Sequence, residues 1–230
     1  MAKTLGNRTL RPETLMMGHG YDPALSEGAL KPPIFLTSTY VFPSAAEGKR
    51  FFECVTGVRP GGAEGLVYGR FNGPDQEILE DRLCLWEETQ DALTFATGMA
   101  AIATALLAFV KPGEMIVHSA PLYAATETLI GKVLAKLGVG FVDFPASATQ
   151  GEIEAALKAA EARGRVAAIY LESPANPTNA LVDREAVVAA RAAALGRGPA
   201  DTPVMIDNTF LGPVWARPAR QGADLILYSL

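Results

Sequence analysis

At 230 residues and 49% hydrophobic content, the chain holds enough apolar side chains for one large buried core. Aromatics are only 8%, so most of that content is Ala, Leu and Val, a composition that favours helices stacked on a sheet over an aromatic-rich barrel. The formal charge is -5, from 20 basic and 25 acidic residues with no basic run, which excludes a nucleic-acid surface because such a surface needs clustered Lys and Arg.

Taken in chain order, Met1 to Leu10 is polar and lacks the apolar run of a secretion signal. The segment to about Phe42 has no clean period, and Pro32-Pro33 followed by Ile34 to Phe42 predicts an extended arm lying across another subunit. Ser44-Ala-Ala-Glu47 has the form of a capping box, so a short helix is expected to about Val55. Gly57 to Gly65 reads as a flexible Gly-rich loop, and Asn72-Gly-Pro74 starts another helix with Ile78, Leu79, Leu83 and Trp86 on its apolar side. From Ala92 onward short apolar runs recur at Leu93–Ala96, Met115–Val117, Val139–Phe144, Val166–Leu171, Val204–Ile206 and Leu225–Tyr228. Helical stretches lie between most of them, at Gly98–Phe109, Tyr123–Leu137, Glu152–Ala162 and Arg184–Leu195. Apolar runs bounded by turns and separated by helices describe βαβ units around a buried, mostly parallel sheet with helices on both faces, so the fold class is α/β. The expected organisation is an arm and short helix over residues 1–60, contacting a neighbouring subunit, and an α/β domain over residues 61–230.

The longest apolar stretch, Met99 to Val110, falls far below the roughly 20 residues of a membrane span, so neither a membrane partner nor any compartment but the cytoplasm is expected. Cys54 and Cys84 are too widely spaced for a disulfide framework or a metal knuckle, and His19 and His118 are too isolated for a zinc cluster.

In such a sheet, ligands bind at the carboxyl ends of the strands. Thr97-Gly98-Met99 follows one run and opens a helix, where glycine lets the backbone approach closely and free N–H groups attract phosphate. Neither the P-loop nor the dinucleotide glycine fingerprint occurs. Glu172-Ser-Pro-Ala-Asn-Pro177, a stiff polar loop, follows Leu171. After Ile206 comes Asp207-Asn-Thr209; an Asp there commonly caps a helix, but it also suits the ring nitrogen of a pyridine cofactor. After Leu227 comes Tyr228-Ser229-Leu230, whose Ser229 hydroxyl could meet a phosphate.

Together these segments resemble the Cys/Met-metabolism enzymes that depend on pyridoxal 5'-phosphate (PLP), a family that includes cystathionine γ-synthase, cystathionine γ-lyase and methionine γ-lyase. The matching stretches are GHGYDP, PPIFLTSTYVF, YGRFNGP, ATGMAAI, ESPANPTN, DNTF and ADLILYS, in the family's order and over nearly the whole chain from Gly18. The resemblance implies the large domain of PLP fold type I (aspartate-aminotransferase-like), a small-molecule amino-acid substrate and a homotetramer built as a dimer of dimers. It implies that the Gly98 and Met99 N–H groups and the Ser229 hydroxyl hold the cofactor phosphate. Tyr68 and Arg70 match the pair that reaches that phosphate from a neighbouring subunit, a task suited to the planar fork of Arg. Asp207 would pair with the ring nitrogen and Thr209 would hydrogen-bond around the ring. Tyr123, the candidate catalytic residue, would stack on the ring and help to protonate the leaving group. Asn176 would sit near the ring hydroxyl and the substrate carboxylate.

Two departures accompany the resemblance. The family continues after the last matched strand with a Thr-Lys pair whose lysine carries the cofactor, and here Leu230 is the last residue; Lys111, Lys132, Lys136 and Lys158 fall on helices or turns away from the strand ends. The expectation is therefore a cofactor-binding domain incomplete at its C-terminal end, within a longer polypeptide. Tyr123 is followed by Ala124 and Ala125, where methionine γ-lyases usually show Gly then Cys and synthases often Gly-Gly. The expected activity is γ-elimination from a sulfur-containing amino acid, as a carbon-sulfur lyase. The alternatives are γ-replacement on an activated homoserine, or a non-catalytic truncated homologue.

Overall fold

A computed structural model of the protein describes residues 4–62 and 65–230, so part of the expected Gly57–Gly65 loop lies outside the described residues. The chain divides into two compact units, one of Met1–Trp86 with Gln90–Thr94 and one of Glu87–Thr89 with Phe95–Leu230.

In the first unit, β1 (Thr4–Leu5) and β2 (Arg8–Thr9) form a small antiparallel hairpin, followed by the one-turn helix α1 (Pro12–Leu15). Helix α2 (Ala45–Val55) starts where the sequence places it, with the Ser44 hydroxyl accepting from Glu47 N. Phe42, Phe51 and Phe52 pack as a ring cluster at its base. Helix α3 (Pro74–Glu87) carries a proline in its first turn, and its Asp75 carboxylate accepts from Phe35 N at 3.2 Å, which ties down the extended arm. Residues 38–40 lie antiparallel to residues 67–69: Tyr40 N donates to Val67 O at 3.1 Å and Gly69 N to Ser38 O at 2.8 Å. The expected strand at Leu93–Ala96 does not form. The Thr94 N–H and hydroxyl bond instead to the Glu80 carboxylate at 2.6 and 2.9 Å, so a side chain satisfies backbone that a sheet would otherwise pair.

The second unit begins with α4 (Gly98–Phe109), capped by the Thr97 hydroxyl, which accepts from Ala100 N. It continues through β3 (Met115–Ala120), α5 (Ala124–Thr128), β4 (Gly140–Pro145), α6 (Gln150–Glu161), β5 (Val166–Glu172), α7 (Arg184–Leu195), β6 (Val204–Asp207), α8 (Gly212–Trp215) and β7 (Leu225–Leu227). The five longer strands form a wholly parallel sheet in the order β4-β3-β5-β6-β7. The helix expected over Tyr123–Leu137 is broken into three: α5, a wider π-helical stretch at Leu129–Leu134 and a 3-10 turn at Ala135–Leu137, closed by Gly138 at φ 83°. Tyr123 stands just outside α5, at φ -54° and ψ 132°. The start of α6 has a full capping box, with Thr149 and Glu152 bonding each other's backbone, and this sets the helix two residues earlier than expected.

Both sheet faces are covered, as a parallel sheet requires. On one face Val117, Ile169, Leu171 and Ile206 pack against Ile153 and Leu157 of α6 and Val187 and Ala190 of α7. On the other, Ile116, Ala168, Tyr170 and Met205 pack against Ile102 and Leu106 of α4 and against Ile130 and Leu134. Strand β5 is buried at every position. Its neighbours place the reversal of strand order between β3 and β5, because β4 lies on the far side of β3 and the later strands lie beyond β5. A crevice at the carboxyl ends of an open α/β sheet forms at such a switch point. Among the described residues no helix is long and apolar enough to cross a membrane.

Candidate active site

The carboxyl ends of the strands in the second unit bring most of the expected residues together. Asp207 closes β6 and is buried; its Oδ1 accepts from both Thr209 N at 3.0 Å and the Thr209 hydroxyl at 2.6 Å. The Thr209 Oγ1 in turn accepts from Ser229 N at 2.9 Å. Ser229 lies against the start of α4, where a Cβ on Gly98 would stand 2.6 Å from the Ser229 Cβ and 2.9 Å from its Oγ. Only glycine permits that approach. The N–H groups of Gly98 and Met99, in the first turn of a 12-residue helix, have no acceptor among the described residues. Two free backbone donors beside a free hydroxyl are a cradle for an anion.

A second group hangs on Glu172, which closes β5 directly opposite Asp207 in the sheet. Glu172 Oε1 accepts from Asn176 N at 2.7 Å and Oε2 accepts from Tyr123 N at 2.5 Å. Leu122 N is held by Glu127 Oε1 at 3.0 Å, so two carboxylates fix the turn that carries Tyr123. Tyr123 is 41% exposed, whereas Glu172 is 5% exposed. Burial raises the Glu172 carboxyl above its usual range; the Asn176 and Tyr123 N–H groups oppose that rise, and the charges of Asp207 and Glu127 add to it. Tyr170, fully buried beneath these strand ends, has Thr126 and Asp207 as its polar neighbours, although its hydroxyl makes no well-aligned hydrogen bond. Burial first and the Asp207 charge second push its phenol well above the usual value.

A third group flanks the first. The Tyr228 hydroxyl donates to the Glu87 carboxylate and accepts from Asn208 Nδ2 at 2.8 Å. Burial pushes the Glu87 carboxyl up to about 7, with Arg217 opposing and Glu88 adding. Tyr68 and Arg70 belong to the first unit. Their segment is fixed by the pairing of residues 67–69, and the Arg70 guanidinium lies over the Tyr68 and Phe71 rings at 5.4 and 4.9 Å. Among the described residues it has no carboxylate partner.

Sequence reasoning gave Glu172, Tyr170, Glu87 and Tyr228 no role. The signal for Glu172 was present, since an acidic residue ends an otherwise apolar strand there just as Asp207 does. Glu87 and Tyr228 have no such signal, because their pairing depends on tertiary contact.

A parallel α/β sheet whose strand-end loops combine an anion cradle at a helix start with a buried carboxylate is the large domain of a fold-type-I PLP enzyme. The residues present fit that group: Gly98, Met99 and Ser229 offer donors to a phosphate, and Asp207, one oxygen held by Thr209, offers Oδ2 to a protonated ring nitrogen. The chain belongs to the Cys/Met metabolism PLP-dependent enzyme family, whose model matches residues 13–230. It is 33% identical over 216 residues to an L-methionine gamma-lyase of Pseudomonas deceptionensis, covering 94% of this chain and 50% of that one. It is 34% identical over 223 residues to an L-methionine gamma-lyase of Brevibacterium sandarakinum, covering 96% and 52%. The chain thus spans about half the length of the curated relatives it matches. Among solved structures it resembles the metB protein of Corynebacterium glutamicum, with a TM-score of 0.77 at 25% identity over 96% of this chain and 50% of that one. A Campylobacter jejuni protein assigned as an O-acetylhomoserine (thiol)-lyase, which carries N'-pyridoxyl-lysine-5'-monophosphate, shares the fold with a TM-score of 0.80 at 24% identity over the same shares.

Proposed function

We propose that the protein acts in PLP-dependent γ-elimination, cleaving the carbon-sulfur bond of a sulfur-containing amino acid in the manner of a methionine γ-lyase. The observation that carries this reading is the linked set Asp207–Thr209–Ser229–Gly98 at the strand ends, in a chain whose relatives bear that name. When bound, PLP supplies an electron sink for the charge left on the substrate carbons as protons depart. The Gly98 and Met99 N–H groups and the Ser229 hydroxyl bind its phosphate. Asp207 Oδ2 keeps the ring nitrogen protonated, and Thr209, by occupying Oδ1, aims that carboxylate. Tyr123 stacks on the ring, and its hydroxyl gives a proton to the departing γ-sulfur. Asn176 orients the substrate carboxylate. Arg70, supported by Tyr68, serves the phosphate of a neighbouring subunit in a homotetramer, which fits a guanidinium without a carboxylate partner among the described residues.

The test is incubation of the purified protein and PLP with methionine alone. Release of a thiol, ammonia and 2-oxobutanoate supports the lyase reading. Turnover that instead requires both an activated homoserine ester and a thiol replaces it with γ-replacement, and failure to bind PLP at all rejects both.

A further inference from the structure

Two carboxylates close adjacent strands of the sheet, and the chemistry proposed above uses only Asp207. Glu172 is the more deeply buried of the two, at 5% exposure against 8%. Burying a carboxylate is unfavourable unless its oxygens are bonded, and those of Glu172 are bonded to two separate loops. Oε2 takes the Tyr123 N–H from the turn after β3, and Oε1 takes the Asn176 N–H from the loop after β5 itself. The stem is fixed as well, because Glu172 N donates to Ser119 Oγ at 3.3 Å. A side-chain amide would offer one oxygen where these two N–H groups meet two. A carboxylate satisfies both with charge-assisted bonds, across the two strands between which the strand order reverses.

We infer that Glu172 is a positioning residue, which locks the backbones of Tyr123 and Asn176 to one strand end and so holds both side chains in register over the same crevice. This rests on the assignment of Tyr123 and Asn176 to cofactor and substrate. Geometric precision of this kind is what supporting residues contribute to a reacting site. The raised Glu172 carboxyl adds a handle, since protonation removes one acceptor and must be felt at both amides together.

The experiment uses the intact protein labelled with 15N in tyrosine and asparagine, with the two resonances assigned through Tyr123→Phe and Asn176→Asp. In Glu172→Gln the side-chain NH2 faces one of the two N–H groups, so at least one of the two amides exchanges with solvent about tenfold faster or more, while the other labelled amides keep their rates. For methionine turnover, kcat falls about tenfold with KM little changed, because ordering of the reacting groups is lost rather than uniform binding. Unmoved exchange at both amides overturns the inference. Should Glu172→Gln fail to fold, the wild type decides: both amides must shift through one shared titration above the ordinary carboxylate range, and separate or absent titrations overturn the inference. Amides that respond in a protein unable to bind PLP support the clamp and reject the functional reading.

Discussion

The strand ends of the second unit and the Tyr68–Arg70 segment of the first contrast in how their polar groups are held. At the strand ends, Thr209 pins Asp207 and is itself held by Ser229 N, while Glu172 and Glu127 fix the backbone around Tyr123. Beneath them lies a sheet in which Ile116, Val117, Ile169, Leu171 and Ile206 are fully buried. In the first unit Leu15 and Ile78 are buried, whereas Leu36 is 94% exposed, Val41 91% and Phe71 71%, and Arg70 lies over two aromatic rings with no carboxylate partner among the described residues. Preorganisation at the strand ends is thus internal to one unit. The first unit leaves these apolar side chains exposed.

The largest effect should come from the centre of the preorganised region. Asp207→Asn keeps the size and the Thr209 contact but loses the charge proposed to hold the ring nitrogen protonated; methionine turnover should fall about 1000-fold, on the order of 4 kcal/mol of transition-state stabilisation. Turnover within tenfold of wild type would detach Asp207 from the chemistry. Next comes a matched pair of truncations. Leu157 is fully buried between α6 and the sheet, so Leu157→Ala should cost about 2–5 kcal/mol in denaturant unfolding. Leu36→Ala should change stability by less than about 0.5 kcal/mol in the isolated chain. A large loss from Leu36→Ala would mean that the arm is covered in solution. Gly98→Ala drives a methyl group to 2.6 Å from the Ser229 side chain. It should destabilise the fold by about 1–3 kcal/mol and weaken PLP binding, read as a lower melting temperature and a higher Kd for PLP.

How much of this was legible in the sequence divides along the same line. Parallel strands buried on both faces read as unbroken apolar runs, so β5 and β6 were placed to within a residue, and Asp207 and Ser229 stood out because each directly follows such a run. Gly138 and Pro74 marked helix ends by their backbone preferences alone. The failures are tertiary. The run at Leu93–Ala96 has strand composition, yet Glu80 captures the Thr94 N–H and hydroxyl. The helix after Tyr123 is continuous in pattern, but its backbone widens into π-helical geometry at Leu129–Leu134. Tyr68 and Arg70 form no motif by themselves and are visible only through family resemblance, since a Tyr and an Arg on a surface loop usually have no function.

Glu87 supplies a smaller, pH-dependent prediction. Its carboxyl is pushed up to about 7 from 4.5, so between those values the folded chain keeps a proton that the unfolded chain has released. Stability therefore falls as pH rises across that window, and Glu87→Gln should flatten the slope. With partial solvation allowed for, the difference in unfolding free energy between about pH 5 and about pH 7.5 should shrink by about 1–2 kcal/mol. Glu172, shifted in the same direction, leaves a residual slope. An unchanged slope would show that Glu87 does not hold its proton in the folded state.

The smallest effect, and the most direct probe of the contrast between the two regions, is at Arg70. On the proposed reading, Arg70→Ala removes one charge-assisted contact to the cofactor phosphate and should weaken PLP retention about tenfold, near 1.4 kcal/mol, measured by dialysis and absorbance. Retention equal to wild type removes Arg70 from the site. Mixing then distinguishes whose site it serves. Chains carrying Arg70→Ala and chains carrying Asp207→Asn are each impaired alone. If Arg70 acts across an interface, a hybrid dimer concentrates both defects in one site and leaves the other intact, so activity returns on mixing. If Arg70 serves its own chain, every site in the hybrid carries one defect and mixing restores nothing. Recovery would show that the Tyr68–Arg70 segment and the strand ends complete one another between subunits, and its absence would confine each site to a single chain.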